Sequence, residues 1–345
     1  MTRASRSDRT VYLRSHPLLF ALLAATRRRP LLRLGRTVLV HHPDAYREVL
    51  TRVPLDRTAA RTTGGTAARL TGGSLLFDQQ GAEHRTARRE LAHLLGPAGV
   101  AALQPLWQRI LDRHLGGLTA PVDLVPAVRE LAGATAAALT GSDADPVRLA
   151  LAAERAAAAT ARAHLPALLP RPGRGRRARR AALRLQELLP DPRDAMLAVA
   201  AVNTTLAALP RAAAWCARDR LWAQARHDAP ALAAELLRRT AASPVLPRAA
   251  AADATVLGHR IRRGDRLLLV ARHAAQSHHD TPTHSHAVRA PFGLGPHACP
   301  GAALARAQLT LLLSTLAPHR PRVLRTAPHP AGALPSYRTC IVRAS

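Results

Sequence analysis

Ten residues near the end of the chain constrain it more than any other part: Phe292-Gly293-Leu294-Gly295-Pro296-His297-Ala298-Cys299-Pro300-Gly301, followed by Ala302-Ala303-Leu304-Ala305-Arg306. The glycines at 293, 295 and 301 let the backbone turn tightly and adopt positive φ, which other residues do only at a cost. A cysteine on such a loop has its sulfur aimed in one direction. The Ala/Leu run behind it predicts a helix, and amides at a helix N-terminus favour thiolate over thiol. The stretch therefore meets the needs of a shielded thiolate ligand to a metal. His297 can reach an anionic group on the edge of whatever the sulfur holds. The plainer reading is a buried free cysteine in a Gly-rich turn.

The remaining 335 or so residues, on the order of one large domain or two ordinary ones, lean towards helix. Apolar residues make up 48% of the chain but aromatics only 3%. The apolar share is thus largely Ala and Leu, both strong helix formers. The net charge of +28 invites a nucleic-acid reading. Against it, lysine is absent, so all 50 basic side chains are arginine. An all-arginine, Ala- and Pro-rich chain reads as coding bias, and the arginines are not interleaved with stacking aromatics. A basic face that docks an acidic electron-transfer protein fits better, with no nucleic acid as partner. The three cysteines, Cys216, Cys299 and Cys340, match no disulfide framework or zinc spacing and suit a reducing cytosol. The apolar run Leu18 to Ala25 falls well short of the roughly 20 residues of a membrane span. Arg27, Arg28 and Arg29 follow it with no small-residue cleavage site, so a cytoplasmic chain without a membrane is expected.

No repeat or linker divides the sequence, so one domain is expected over 1–345, with 1–29 a poorly defined segment whose first 15 residues fray. Leu31 to Val40, with Gly35 between two apolar runs, predicts a β-hairpin. Pro43 opens a helix through Leu50. Residues 61–74, rich in Thr and Gly, read as a loop. Helical spacing predicts helices at 83–95, 100–115, most of 123–220, and 229–240. The stretch Pro170 to Gly175, running into Arg176, Arg177, Arg179 and Arg180, reads as a basic connector. Strand-like alternation returns at 253–270 around Gly258 and Gly264, 273–290 looks irregular, and a last helix spans about Ala302 to Leu316.

The loop at 292–301 resembles the cysteine-ligand loop of cytochromes P-450, Phe-Gly-x-Gly-x-His-x-Cys-x-Gly, and Leu304-Ala305-Arg306 matches the Leu-Ala-Arg that comes after that loop in the family. Glu235-Leu236-Leu237-Arg238 is similar to that family's Glu-x-x-Arg, where spacing of three puts both side chains on one helix face. His84 and Arg88 resemble its His-x-x-x-Arg, and Arg248 falls where the family has an arginine for a haem propionate. Ala200-Ala201-Val202-Asn203-Thr204-Thr205 is similar to its oxygen-activating helix, with Asn203 in place of the usual acid and Ala201 in place of glycine. The resemblance implies a mainly α, cytochrome P-450-like fold with small β-sheets. It implies haem b whose iron is ligated by Cys299. His84, Arg88, Arg248, Phe292, His297 and Gly301 would bind the cofactor, Thr204 and Asn203 would serve catalysis, and Glu235 and Arg238 would brace the fold.

The chain departs from that pattern in length. The F–G region before residue 195 is short, as is the meander between Ala271 and Phe292, which lacks Pro-x-x-Phe and offers only Arg289 as its arginine. The implied function is a haem-thiolate monooxygenase inserting one oxygen atom from O2 into a small, largely apolar substrate, in specialised metabolism. Its electrons would come from a ferredoxin and ferredoxin-reductase type donor. Asn203 leaves open a peroxide-driven or non-hydroxylating relative. The short segments leave open a non-catalytic partner subunit. The segments 61–77 and 160–190 are expected to shape the pocket.

Overall fold

Alanine and leucine at helical spacing fill the middle of the chain, and the structure turns them into helices. The structure is a computed structural model and describes residues 2–60, 62, 64–65, 76–164, 173–276 and 289–345. It divides into two compact units. One comprises Met1–Pro17, His93–Leu236 and Ala303–Ser345; the other comprises Leu18–Ala92 and Leu237–Ala302.

The first unit is built on the helix Pro192–Arg218. Asp191 caps it by accepting from the Arg193 amide at 2.8 Å, with Pro192 in its first turn. Every residue from Thr205 to Cys216 is buried, the mark of a core helix enclosed on all sides. Among the described helices it alone is long and apolar enough to cross a membrane, and 61% of its apolar window is buried by packing. The helices Leu124–Thr140 and Pro146–His164 pack beside it. They meet at Gly133, where an added Cβ would lie 1.8 Å from the Pro146 carbonyl oxygen, so only glycine allows that approach. A three-stranded antiparallel sheet orders Val122–Asp123, Tyr337–Arg343 and Arg322–Pro328.

Three expectations need correcting in this unit. Residues 3–15 form a helix instead of fraying, because Asp8 and Tyr12 on that helix bind the buried Arg211. The arginines 176–180 belong to a helix, Arg174–Gln186, which turns most of its arginines to solvent. The C-terminal strands were not anticipated, since their arginines blur any alternation of apolar and polar residues.

The second unit holds a five-stranded sheet in the order Leu31–Leu34, Thr37–Val40, Arg266–Leu269, Leu246–Ala250, Leu55–Asp56. The expected hairpin is its edge, with Leu31 opposite Val40. Thr37–Val40 runs parallel to Arg266–Leu269, and the other pairs are antiparallel. Val38, Val40, Leu267 and Leu269 join Tyr46 and Val49 of the helix Pro43–Arg52 in one apolar core. The short helix Ala271–Gln276 packs on that core and extends into the stretch from 273 that was expected to be irregular. Most of the loop 61–74, the front of the connector at 170–175, and the short meander at 277–288 lie outside the described residues, as do parts of the expected pocket segments 61–77 and 160–190.

Candidate functional site

The cysteine loop lies wholly in the second unit. It is two short 3-10 turns, Ala290–Phe292 and Gly295–His297, separated by Gly293 and Leu294. Gly293 has φ +74° and Gly295 φ +73°, the left-handed region where a side chain is strained. Gly295 has a second reason to be glycine, since a Cβ there would stand 2.9 Å from the Leu50 carbonyl oxygen. The Cys299 amide donates to the Phe292 carbonyl at 2.7 Å and closes the loop. The buried Tyr46 hydroxyl donates to the Ala290 carbonyl at 2.8 Å, and Arg88 Nη1 to the Ala298 carbonyl at 2.7 Å. The loop is thereby fixed to the helix Pro43–Arg52 on one side and to Gly81–Leu95 on the other.

All three cysteines are free. Cys216 and Cys340 are buried, and burial pushes each thiol up to about 12, so neither is reactive. Cys299 is the exposed one. Its thiol is nevertheless crowded by protein, which raises it above the ordinary thiol range, while the Gly301 amide and the Arg88 charge pull it back. The expectation of a lowered thiol is therefore met only in part: the helix-start amide acts as foreseen, and desolvation outweighs it. A metal cation on the sulfur reverses that balance.

Around this loop the unit gathers positive charge. The His84 and His297 rings stack at 3.9 Å between centroids. Burial lowers His297 to about 3, helped by Arg57, His84, Arg248 and Arg88. Burial also lowers His84, helped by Arg88, Arg57 and Arg85. Arg57 falls to about 9 through burial and the neighbouring Arg248, and Arg248 is itself lowered by burial. Arg248 Nη1 reaches only its neighbouring Pro247 carbonyl, and its buried Nε has no partner. Among the described residues no carboxylate pairs with Arg57, Arg88 or Arg248. Cationic groups collected out of water without an anion are costly, so the arrangement is built to receive one.

A haem fits this arrangement. Its carboxylates would meet the cations, and its iron would arrive with four nitrogen ligands and need one more from the protein. A lone cysteine suits that need, and among the described residues no cluster of three His, Cys, Asp or Glu side chains offers a bare metal its full ligand set. Of the expected cofactor residues, the second unit brings His84, Arg88, Arg248, Phe292, His297, Cys299 and Gly301 within this one unit, with Phe292 half-buried. Arg57 was missed. Its signal is the pairing of Leu55–Asp56 with Ala249–Ala250, which brings the next residue, Arg57, near Arg248.

The remaining expected residues lie elsewhere. Glu235 and Arg238 share the helix Ala229–Thr240, and the buried Arg238 donates to the Ala275 carbonyl. Arg289 is exposed, at the start of the turn Ala290–Phe292. Asn203 and Thr204 are in the first unit. Thr204 Oγ1 donates to the Ala200 carbonyl at 2.8 Å, and Asn203 Nδ2 to the Val199 carbonyl at 2.8 Å. Both thus bond back to their own helix, and Asn203 also lines a small pocket with Glu154, His329 and Ser336.

No family model and no curated protein sequence matches the chain. Solved structures do. CYP175A1 from Thermus thermophilus superposes with a TM-score of 0.78 at 20% identity, covering 96% of each chain. Mycobacterium smegmatis CYP164A2 gives 0.75 at 18% identity over 99% of each chain. The Tepidiphilus thermophilus P450 heme domain gives 0.71 at 20% identity, over 96% of this chain and 94% of that one. The fold is the cytochrome P450 fold, mainly α with small sheets, as the cysteine loop led one to expect.

Proposed function

We propose that the protein is a haem-thiolate monooxygenase with Cys299 as the axial iron ligand. The observation that carries the reading is the convergence of the cations Arg57, Arg88 and Arg248 with the neutral imidazoles of His84 and His297, with no carboxylate pairing the arginines among the described residues, in the unit that holds the Cys299 loop. In this reading Arg88, Arg248, His84 and His297 hold the haem carboxylates. Arg88 does so while also pinning the loop through the Ala298 carbonyl. Gly293 and Gly295 fix the direction of the sulfur, and the Gly301 amide tempers its charge. Phe292 covers the loop, and Glu235 and Arg238 brace it. When bound, a thiolate-ligated haem supplies activation of O2 for transfer of one oxygen atom to an organic substrate. Thr204, with Asn203, handles protons for that chemistry. The substrate would be small and largely apolar, and a role in specialised metabolism is consistent with a chain of this kind. The net charge of +28 supports an acidic, ferredoxin-type electron donor in the cytoplasm.

The test is the absorption spectrum of the dithionite-reduced protein under carbon monoxide. A Soret band displaced far to the red, abolished by Cys299→Ala, is the expected result. A histidine-type band, or no haem uptake, would overturn the reading in favour of a non-catalytic partner subunit. Asn203 favours one variation, turnover driven by peroxide, because an amide cannot ionise to relay a proton. Turnover with NAD(P)H and a ferredoxin system, compared with peroxide alone, decides between the two.

A further inference from the structure

Two arginines come together at the edge of the second unit's sheet. The strand Leu55–Asp56 is antiparallel to Leu246–Ala250, with Leu55 opposite Ala250 and Asp56 opposite Ala249. The pairing ends there, and Arg57 follows at once in a bend, close enough to Arg248 to feel its charge. Like charges brought close repel. Arg57 is only 7% exposed, so water does little to separate them. The nearest acid in sequence, Asp56, does not intervene: its Oδ1 accepts from the Thr58 amide, the Thr58 hydroxyl and the Ala59 amide. Tyr46, whose hydroxyl bonds the Ala290 carbonyl, also neighbours Arg248, and it is neutral.

A chain gains nothing for its own stability by burying such a pair. We propose that Arg57 is a further cofactor-anchoring residue, which binds a haem carboxylate jointly with Arg248 and is held in the protein at a cost to the haem-free state. The inference rests on the haem reading above and adds a residue to it. It also assigns that residue two effects of opposite sign. Arg57 strengthens the loaded protein and weakens the empty one. A merely structural arginine would stabilise both.

The experiment uses the full chain, freed of haem, as wild type, Arg57→Met and Arg57→Lys. Each is titrated with haem b and with its dimethyl ester, in which the carboxylates are blocked, and uptake is followed at the Soret band. Wild type is expected to bind haem b more tightly than the ester. Arg57→Met should bind haem b about tenfold or more weakly, as the loss of one charge-assisted hydrogen bond implies. It should bind the ester as wild type does, and Arg57→Lys should keep most of the preference for haem b. The haem-free Arg57→Met protein should unfold at the same temperature as wild type or a higher one. A methionine variant that binds haem b as wild type does, or that fails to fold without haem, overturns the role of Arg57 alone. A wild type that takes up no haem, or does not distinguish haem b from its ester, overturns the haem-carboxylate reading itself and this proposal with it.

Discussion

The two units both bury arginine, and they satisfy it in opposite ways. In the first, the fully buried Arg211 is matched from every side. Its Nε and Nη2 donate to Asp8 Oδ1 at 2.9 and 2.7 Å, Nη2 also meets the Tyr12 hydroxyl at 2.5 Å, and Nη1 reaches the Ala207 and Pro335 carbonyls. The Tyr12 ring lies 4.5 Å from the guanidinium carbon. In the second unit, Arg248 has an Nε without a partner among the described residues and lies near another arginine. A guanidinium does not shed its proton to escape burial, so it needs an anion. The first unit supplies that anion from its own chain. In the reading proposed above, Arg248 leaves that place for a ligand, which would separate a charge that holds a fold from one that serves a site.

The sharpest way to break the comparison is to unpair Arg211. Asp8→Ala leaves an uncompensated buried charge, and the loss of stability should be about 3–5 kcal/mol. Replacing both partners, Asp8→Leu with Arg211→Met, should recover much of it, because an apolar pair of similar volume has no desolvation to overcome. Urea denaturation followed by circular dichroism measures both, with and without haem. The losses should be the same in the two states. A loss below about 1 kcal/mol for Asp8→Ala would show that the matched arginine matters no more than a surface one.

Arg248→Met should behave in the contrary manner. Without haem the variant should be as stable as wild type or more so, since the change removes a cation with a bare Nε and a like-charged neighbour. Haem affinity should fall roughly 10- to 100-fold, the range for lost hydrogen bonds to a charged group. Haem titration and thermal unfolding of the haem-free protein check the two halves separately. A haem-free variant less stable than wild type would make Arg248 a second Arg211.

What could be read from sequence divides along the same physical line. The hairpin Leu31 to Val40 and the helices at 229–240 and 302–316 were legible because glycine placement and apolar spacing act within a few residues. The cysteine loop was legible for the same reason, since its two left-handed glycines lie within six residues of Cys299. The helix Arg3–Ser15 was not, because what orders it is a partner at position 211. Arg57 was invisible on the same ground. Its meaning comes from a two-residue strand paired with Ala249 and Ala250, and two residues carry no alternation to detect. Local geometry marks the cysteine loop in the sequence, and long-range pairing hides Arg57.

Histidine offers a third way to bury a cation, which is to stop being one. In the second unit His41 and His273, 3% and 8% exposed, meet Nδ1 to Nδ1 at 2.9 Å, and Thr26 Oγ1 lies 3.0 Å from His41 Nε2. One ring must donate the shared hydrogen and the other accept it, so the contact holds only while at least one imidazole is neutral. Burial, with the charge of Arg27 behind it, lowers His41 to about 4; burial with Arg27, His41 and Arg272 lowers His273 to about 3. Both lie below the ordinary imidazole value of 6.5, so above that pH neither state of the chain is protonated there and stability is flat. Below it the unfolded chain takes up protons that the folded one refuses, and stability falls through the folded values of about 4 for His41 and about 3 for His273. Each imidazole should contribute a loss of up to roughly 1.4 kcal/mol per pH unit in that window. Other lowered histidines, among them His84 and His297, titrate in the same direction, so the slope is assigned by difference. His41→Leu with His273→Leu, compared with wild type by urea denaturation at pH 7, 6 and 5, should flatten the curve. Parallel curves would mean that these imidazoles take up protons in the folded chain as readily as in the unfolded one, and the neutral pair would be overturned.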